Sequence, residues 1–183
     1  IHFGIPGAPP YVIQPQSQLP DVGDATILDA TTQPGFAGSP IVEIAGLTAC
    51  CDGLRLAAAG STVRGFVLRN WPGYGILDFG GNATIAGNFI GTDVTGMLPQ
   101  WNNAGLFITG AGTVVGGSTA ADRNLISGNG TGLVLNSGSF ARGNWIGLDA
   151  TGAAALANGS GVSVQDATLG GTGAGEANTV SGN

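Results

Sequence analysis

The sequence has no lysine and a single histidine, His2. All five basic residues are arginines: Arg55, Arg64, Arg69, Arg123 and Arg142. Without lysine, Walker-type phosphate loops and Schiff-base chemistry are excluded. With His2 alone, a Ser-His-Asp or Cys-His machine would rest on a residue at the chain terminus. Five basic against 11 acidic residues leave a net charge of -6, which argues against nucleic acid or an anionic membrane as partner. No apolar run reaches the roughly 18 residues of a membrane span. The two cysteines, Cys50 and Cys51, are adjacent. Neighbours seldom bridge each other, because a disulfide prefers Cα atoms about 5.5 Å apart or more; free and bridged forms both stay open. The chain opens on Ile1 without initiator methionine, signal or lipidation motif, and reads as a processed form or an excerpt.

Glycine is abundant instead, 35 of 183 residues against a usual share of about 7%. A hydrophobic content of 43% is too high for a disordered chain, and the length suits one domain. The glycines are periodic. Gly-Asn-Phe-Ile-Gly at 87–91 returns as Gly-Asn-Trp-Ile-Gly at 143–147, and Asn-Leu-Ile-Ser-Gly-Asn at 124–129 returns as Asn-Thr-Val-Ser-Gly-Asn at 178–183. Within this long repeat a glycine followed by alternating apolar residues opens each unit, at Gly53, Gly75, Gly105, Gly132 and Gly161. A second short strand follows near Val63, Ile85, Val114, Phe140 and Leu169, and a third contains Leu68, Ile90, Ile126, Ile146 and Val180. Three short strands per 20–30 residues with glycine and asparagine corners describe one coil of a β-solenoid. Asn88, Asn124, Asn144 and Asn178 hold one corner, where stacked amides can bond from coil to coil; Phe66 departs from the row. Long loops alternate between two corners of the stack.

These repeats resemble the bacterial secreted proteins with right-handed parallel β-helix repeats, which share the pectate-lyase-like superfold and are often large surface proteins. Leu28–Gly38 (LDATTQPGFAG), Ile90–Gly96 (IGTDVTG) and Arg123–Asn129 (RNLISGN) carry the resemblance. It implies an extracellular or cell-surface location and an all-β fold. Relatives usually have segments before the Ile1-His2-Phe3 strand and further coils downstream, so both ends of this stack are expected to lack a cap. No catalytic motif transfers. The expected architecture is one right-handed parallel β-helix of about five to six coils, with residues 1–52 as its irregular beginning and 53–183 as regular coils.

Strand alternation sorts the side chains. Leu54/Ile76/Leu106/Leu133/Val162 and Leu68/Ile90/Ile126/Ile146/Val180 should face inward. Arg55/Leu77/Phe107/Val134/Ser163 and Val67/Phe89/Leu125/Trp145/Thr179 should face outward. Phe89, Phe107, Leu125 and Trp145 are thus candidates for an interface or for sugar stacking, unless long loops fold over them. Thr62/Thr84/Thr113/Ser139/Thr168 reads as a hydroxyl column, a good strand pattern that also suits lattice binding. Asp93 and Asp149, in matching Asp-x-Thr-Gly loops, and Asp78 are the catalytic candidates. For the first two an Asx turn is the simpler reading. Asp78 falls in an inward column, and a register shift burying Phe79 instead is expected. No metal ligand set stands out, calcium being the one ion that the acidic loops leave open. Asn82, Asn129 and Asn158 begin glycosylation sequons, of a kind that chance supplies in a chain this rich in asparagine and glycine.

The function expected from this pattern is structural: an extracellular subunit that stacks end to end into a filament or surface fibre, since open strand edges template pairing. A polysaccharide lyase or hydrolase, the activity common on the superfold, and a non-catalytic glycan-binding adhesin are the alternatives.

Overall fold

The computed structural model describes residues 1–46, 50 and 52–183; Cys51 lies outside them, and with it any pairing of the two cysteines. Eighteen strands of two to five residues form three parallel sheets among the described residues. Five complete coils follow one another: β4 (Leu54–Leu56), β5 (Thr62–Arg64), β6 (Phe66–Arg69); β7 (Tyr74–Asp78), β8 (Thr84–Ala86), β9 (Phe89–Ile90); β10 (Ala104–Ile108), β11 (Val114–Gly116), β12 (Leu125–Ile126); β13 (Thr131–Leu135), β14 (Phe140–Arg142), β15 (Trp145–Ile146); β16 (Ser160–Val164), β17 (Thr168–Leu169), β18 (Thr179–Val180). Before them come β1 (Tyr11–Ile13), β2 (Ile27–Asp29), a 3₁₀ turn at Ala30–Thr32 and β3 (Val42–Ala45). Each strand pairs with its counterpart one coil away, giving a seven-stranded sheet from β1 to β18, a five-stranded sheet from β4 to β16 and a six-stranded sheet from β2 to β17. This is a parallel β-helix with three strands per coil.

The first- and third-strand columns stack in the predicted register. Leu54, Ile76, Leu106, Leu133 and Val162 align, as do Leu68, Ile90, Ile126, Ile146 and Val180. All but the last member of each column are buried. Burial of each such side chain stabilises by about 1.5–3 kcal/mol, and the columns run the length of the core.

The second strand differs from the expectation by one residue. Val63 and Ile85 align with Val115 and Ala141, not with Val114 and Phe140. Val114 precedes another valine, and either fits a strand; the buried one is Val115. The hydroxyl column dissolves accordingly. Thr62, Thr84 and Thr168 lie on the outward row, whereas Thr113 and Ser139 are buried one position earlier. There they bond backbone: Thr113 Oγ1 accepts the Ala83 N–H at 3.1 Å, and Ser139 Oγ accepts the Thr113 N–H at 3.2 Å.

Asp78 also overturns its expectation. No register shift occurs: Asp78 aligns with Leu56 and Ile108 in the core column and is fully buried, while Phe79 is 43% exposed. The carboxylate is tolerated because donors from neighbouring turns reach it. Thr113 Oγ1 donates to one oxygen at 2.6 Å and the Gly81 N–H to the other at 3.2 Å.

The N-terminal residues pack against the core. Phe3, Ile5, Tyr11, Ile13, Leu19 and Val22 lie against the first coils, with the Phe3 ring edge-on to Phe66 at 5.2 Å. Five prolines between residues 6 and 20 favour this extended wrapping, because proline fixes φ and donates no ladder bond.

Candidate functional site

Two rows of asparagine run through the corners. In the predicted row, Asn88 Nδ2 donates to Asn124 Oδ1 at 3.1 Å, Asn124 to Asn144 at 2.9 Å and Asn144 to Asn178 at 2.9 Å. Each amide also donates to a second-strand carbonyl, those of Val63, Ile85, Val115 and Ala141 in turn. A second row, Asn102, Asn129, Asn158 and Asn183, does the same at the opposite corner, with amide-to-amide distances of 2.9, 2.9 and 2.7 Å. Its signal in the sequence is asparagine three positions before the unit glycines 105, 132 and 161. The sequon pattern obscured it: Asn129 and Asn158 are buried ladder members, and only Asn82 of the three sequon asparagines is exposed.

The long loops belong to alternate coils and meet over the short corners between them. The Ala150 N–H donates to Gly96 O at 3.0 Å, joining the loops that carry Asp93 and Asp149. In each loop the aspartate closes an Asx turn. Asp93 accepts from the Thr95 hydroxyl and from the N–H groups of Met97 and Leu98. Asp149 accepts from the Thr151 hydroxyl and the N–H groups of Thr151, Ala153 and Ala154. Burial alone would raise the Asp93 carboxyl, but these donors outweigh it and hold the group below its ordinary value. At Asp149 the Thr151 hydroxyl is the largest influence, and the carboxyl again lies low, against the effect of burial. Carboxylates so bound face their own loops.

The same loops seat a glycine on the outward aromatic row. Gly96 (φ 69°) and Gly152 (φ 70°) adopt left-handed backbone. A Cβ at Gly96 would stand 2.8 Å from Leu125 Cδ2 and 3.0 Å from Phe89 Cε2; one at Gly152 would stand 2.7 Å from the Trp145 ring. The loops thus lie over Phe89, Leu125 and Trp145 of the third-strand row, and Leu125 is buried. What stays open is a groove of about 180 Å³ lined by Phe89, Leu125, Trp145, Arg123 and loop residues including Pro40 and Ala121.

Three of the four predicted interface residues therefore come together: Phe89, Leu125 and Trp145 are aligned on the seven-stranded sheet. Phe107 does not join them. It sits on the five-stranded sheet, its ring 4.7 Å from that of Tyr74. Arg123 is the groove residue that sequence reasoning missed, since its place depends on loop folding. Its guanidinium lies 4.2 Å from the Trp145 ring centroid, and its Nε donates to Gly143 O at 3.3 Å.

Asp78, Asp93 and Asp149 do not form one cluster: Asp78 faces the core and the other two lie in surface loops. Among the described residues no group of three or more His, Cys, Asp or Glu side chains is placed to hold a metal ion, and no helix is long and apolar enough to cross a membrane. No protein-family model, curated protein or solved structure matches the chain.

Proposed function

We propose that this chain is an extracellular structural protein, a β-helix segment that stacks end to end into a filament or surface fibre. One observation carries the reading. The three core columns repeat in register from coil to coil, Leu135, Ala141 and Ile146 aligning with Val164, Leu169 and Val180, so that each coil presents to the next the same apolar surface. The parallel ladders repeat in the same way, each strand offering its outer edge to its counterpart one coil on. A further coil of the same geometry would cover both the apolar columns and the strand edges.

Head-to-tail association of this kind propagates into a filament unless the rotation closes a ring. Light scattering across a concentration series, with electron microscopy of the concentrated sample, tests the proposal. Dimers or filaments are expected, and they should be lost when Val164, Leu169 and Val180 are all replaced by asparagine. A chain that stays monomeric at high concentration refutes it.

A further inference from the structure

Arg123 differs from the other arginines. Arg55 pairs with Asp21 at 2.7 Å and Asp52 at 3.1 Å, Arg142 with Glu176 at 2.8 Å, Arg64 with Asp29 at 4.0 Å, and Arg69 with Glu43. Arg123 has no carboxylate partner among the described residues, although the chain has an acidic excess of six charges. The Gly143 carbonyl and the Trp145 face hold its guanidinium in one plane. Among the described residues its two Nη groups have no protein acceptor, and they stand at the wall of the groove.

A fixed guanidinium with two free donors is a fork for a planar anion. The walls beside it include the Phe89 and Trp145 rings and the Leu125 side chain, which give an apolar face to a ring held at the guanidinium. A groove of about 180 Å³ is smaller than the roughly 300–1,000 Å³ that takes a drug-sized ligand, so it suits a single ring. One cation, in a chain otherwise negative, balances a monoanion better than a phosphate dianion. We infer that this groove binds a small organic carboxylate bearing one apolar ring, its carboxylate on the Nη groups of Arg123 and its ring against Phe89 and Leu125. The inference does not depend on end-to-end association, since the groove lies on the side of the stack.

Calorimetric titration with benzoate, benzamide and inorganic phosphate, with tryptophan fluorescence followed in parallel, tests it. Benzoate should bind saturably with a Kd of about a millimolar, the range for one ring and one charge-assisted contact. Benzamide, of the same shape without the charge, and phosphate should each bind at least about tenfold more weakly. R123Q should weaken benzoate binding about tenfold or more, and R123K should fall between. If R123Q does not fold, the native chain still decides: raising salt to about 1 M should weaken benzoate and leave benzamide unchanged. Absence of saturable benzoate binding, equal binding of benzamide, tighter binding of phosphate, or a folded R123Q that binds as the native chain does would each overturn the inference.

Discussion

The indole N–H of Trp71 donates to the carbonyl of Ile44 at 3.3 Å, the same contact that Asn102 makes with Leu68 one coil later at 3.1 Å. Asn129, Asn158 and Asn183 repeat it with Ile90, Ile126 and Ile146, and these five carbonyls belong to one aligned column. Trp71 is thus the first member of an amide ladder, supplying the donor while its ring fills the start of the core. The other ladder begins the same way, with buried Phe66 offering its backbone N–H to Asn88 Oδ1 at 3.0 Å. Where the stack starts, the corners carry apolar bulk; where it is regular, they carry amides.

That division of labour at Trp71 can be measured. Trp71→Phe keeps most of the bulk and removes the indole donor to Ile44 O, a net loss of about 0.5–1.5 kcal/mol. Trp71→Asn keeps a donor and removes the ring, at a cost of about 3–5 kcal/mol. Urea unfolding should therefore rank native above Trp71→Phe above Trp71→Asn. The reverse order would mean that the hydrogen bond, not the volume, holds this corner.

Buried Asp78 is stabilised mainly by Thr113, and substitutions at the two positions should couple. Thr113→Val leaves the carboxylate with the backbone N–H of Gly81 as its one hydrogen-bond donor among the described residues, and deprives the Ala83 N–H of its acceptor. A loss of about 3–5 kcal/mol is expected, as for other buried charges stripped of a partner. Asp78→Leu restores the aliphatic character of its neighbours Leu56 and Ile108. Combined with Thr113→Val it should destabilise by less than the sum of the single changes, by at least about 1 kcal/mol in a double-mutant cycle. Additive costs would show that the two side chains act independently.

The inward columns of β4–β18 were legible because aliphatic residues alternate with period two between glycine corners, as in Gly75-Ile76-Leu77 and Gly105-Leu106-Phe107. Local pattern failed where two residues fit one slot. Val114 and Val115 are equally good strand residues, and only packing between coils selects Val115. Asp78 was misread for a related reason: its partner Thr113 lies 35 positions away, so nothing near it in the chain accounts for a carboxylate in the core. Phe89, Leu125 and Trp145 could be placed on one row from sequence. That Gly96 and Gly152 would close over that row, and that Arg123 would stay open beside it, depends on contacts between loops two coils apart.

Those loop glycines can be separated from glycines that answer only to backbone conformation. Gly138 has φ 68°, close to the 70° of Gly152, but a Cβ there meets nothing within 4 Å. Gly138→Ala should therefore cost about 1 kcal/mol, from left-handed strain alone. Gly152→Ala adds a collision with the Trp145 ring, and should cost at least about 1 kcal/mol more. It should also shift the Trp145 emission as the loop lifts from the ring. Equal melting temperatures for the two variants would mean that the loop does not bear on Trp145.

Acid should loosen the same loops. Asp93 and Asp149 both titrate below the ordinary aspartate value of 3.8 in the folded chain, so the folded state favours their ionised forms. The unfolded chain binds protons first as pH falls, and the stability from the two turns declines as pH drops through the unfolded and then the depressed folded values. Above about pH 5 the contribution is fully present, and it is lost as pH falls through the depressed folded values. Asp93→Asn with Asp149→Asn keeps an acceptor oxygen in each turn but cannot ionise. The double variant should be less stable than the native chain at neutral pH, and the gap should narrow as pH falls. Thermal unfolding recorded between pH 7 and pH 2.5 reads this directly, and a gap that stays constant over that range would show that the two carboxylates are not held ionised by their turns.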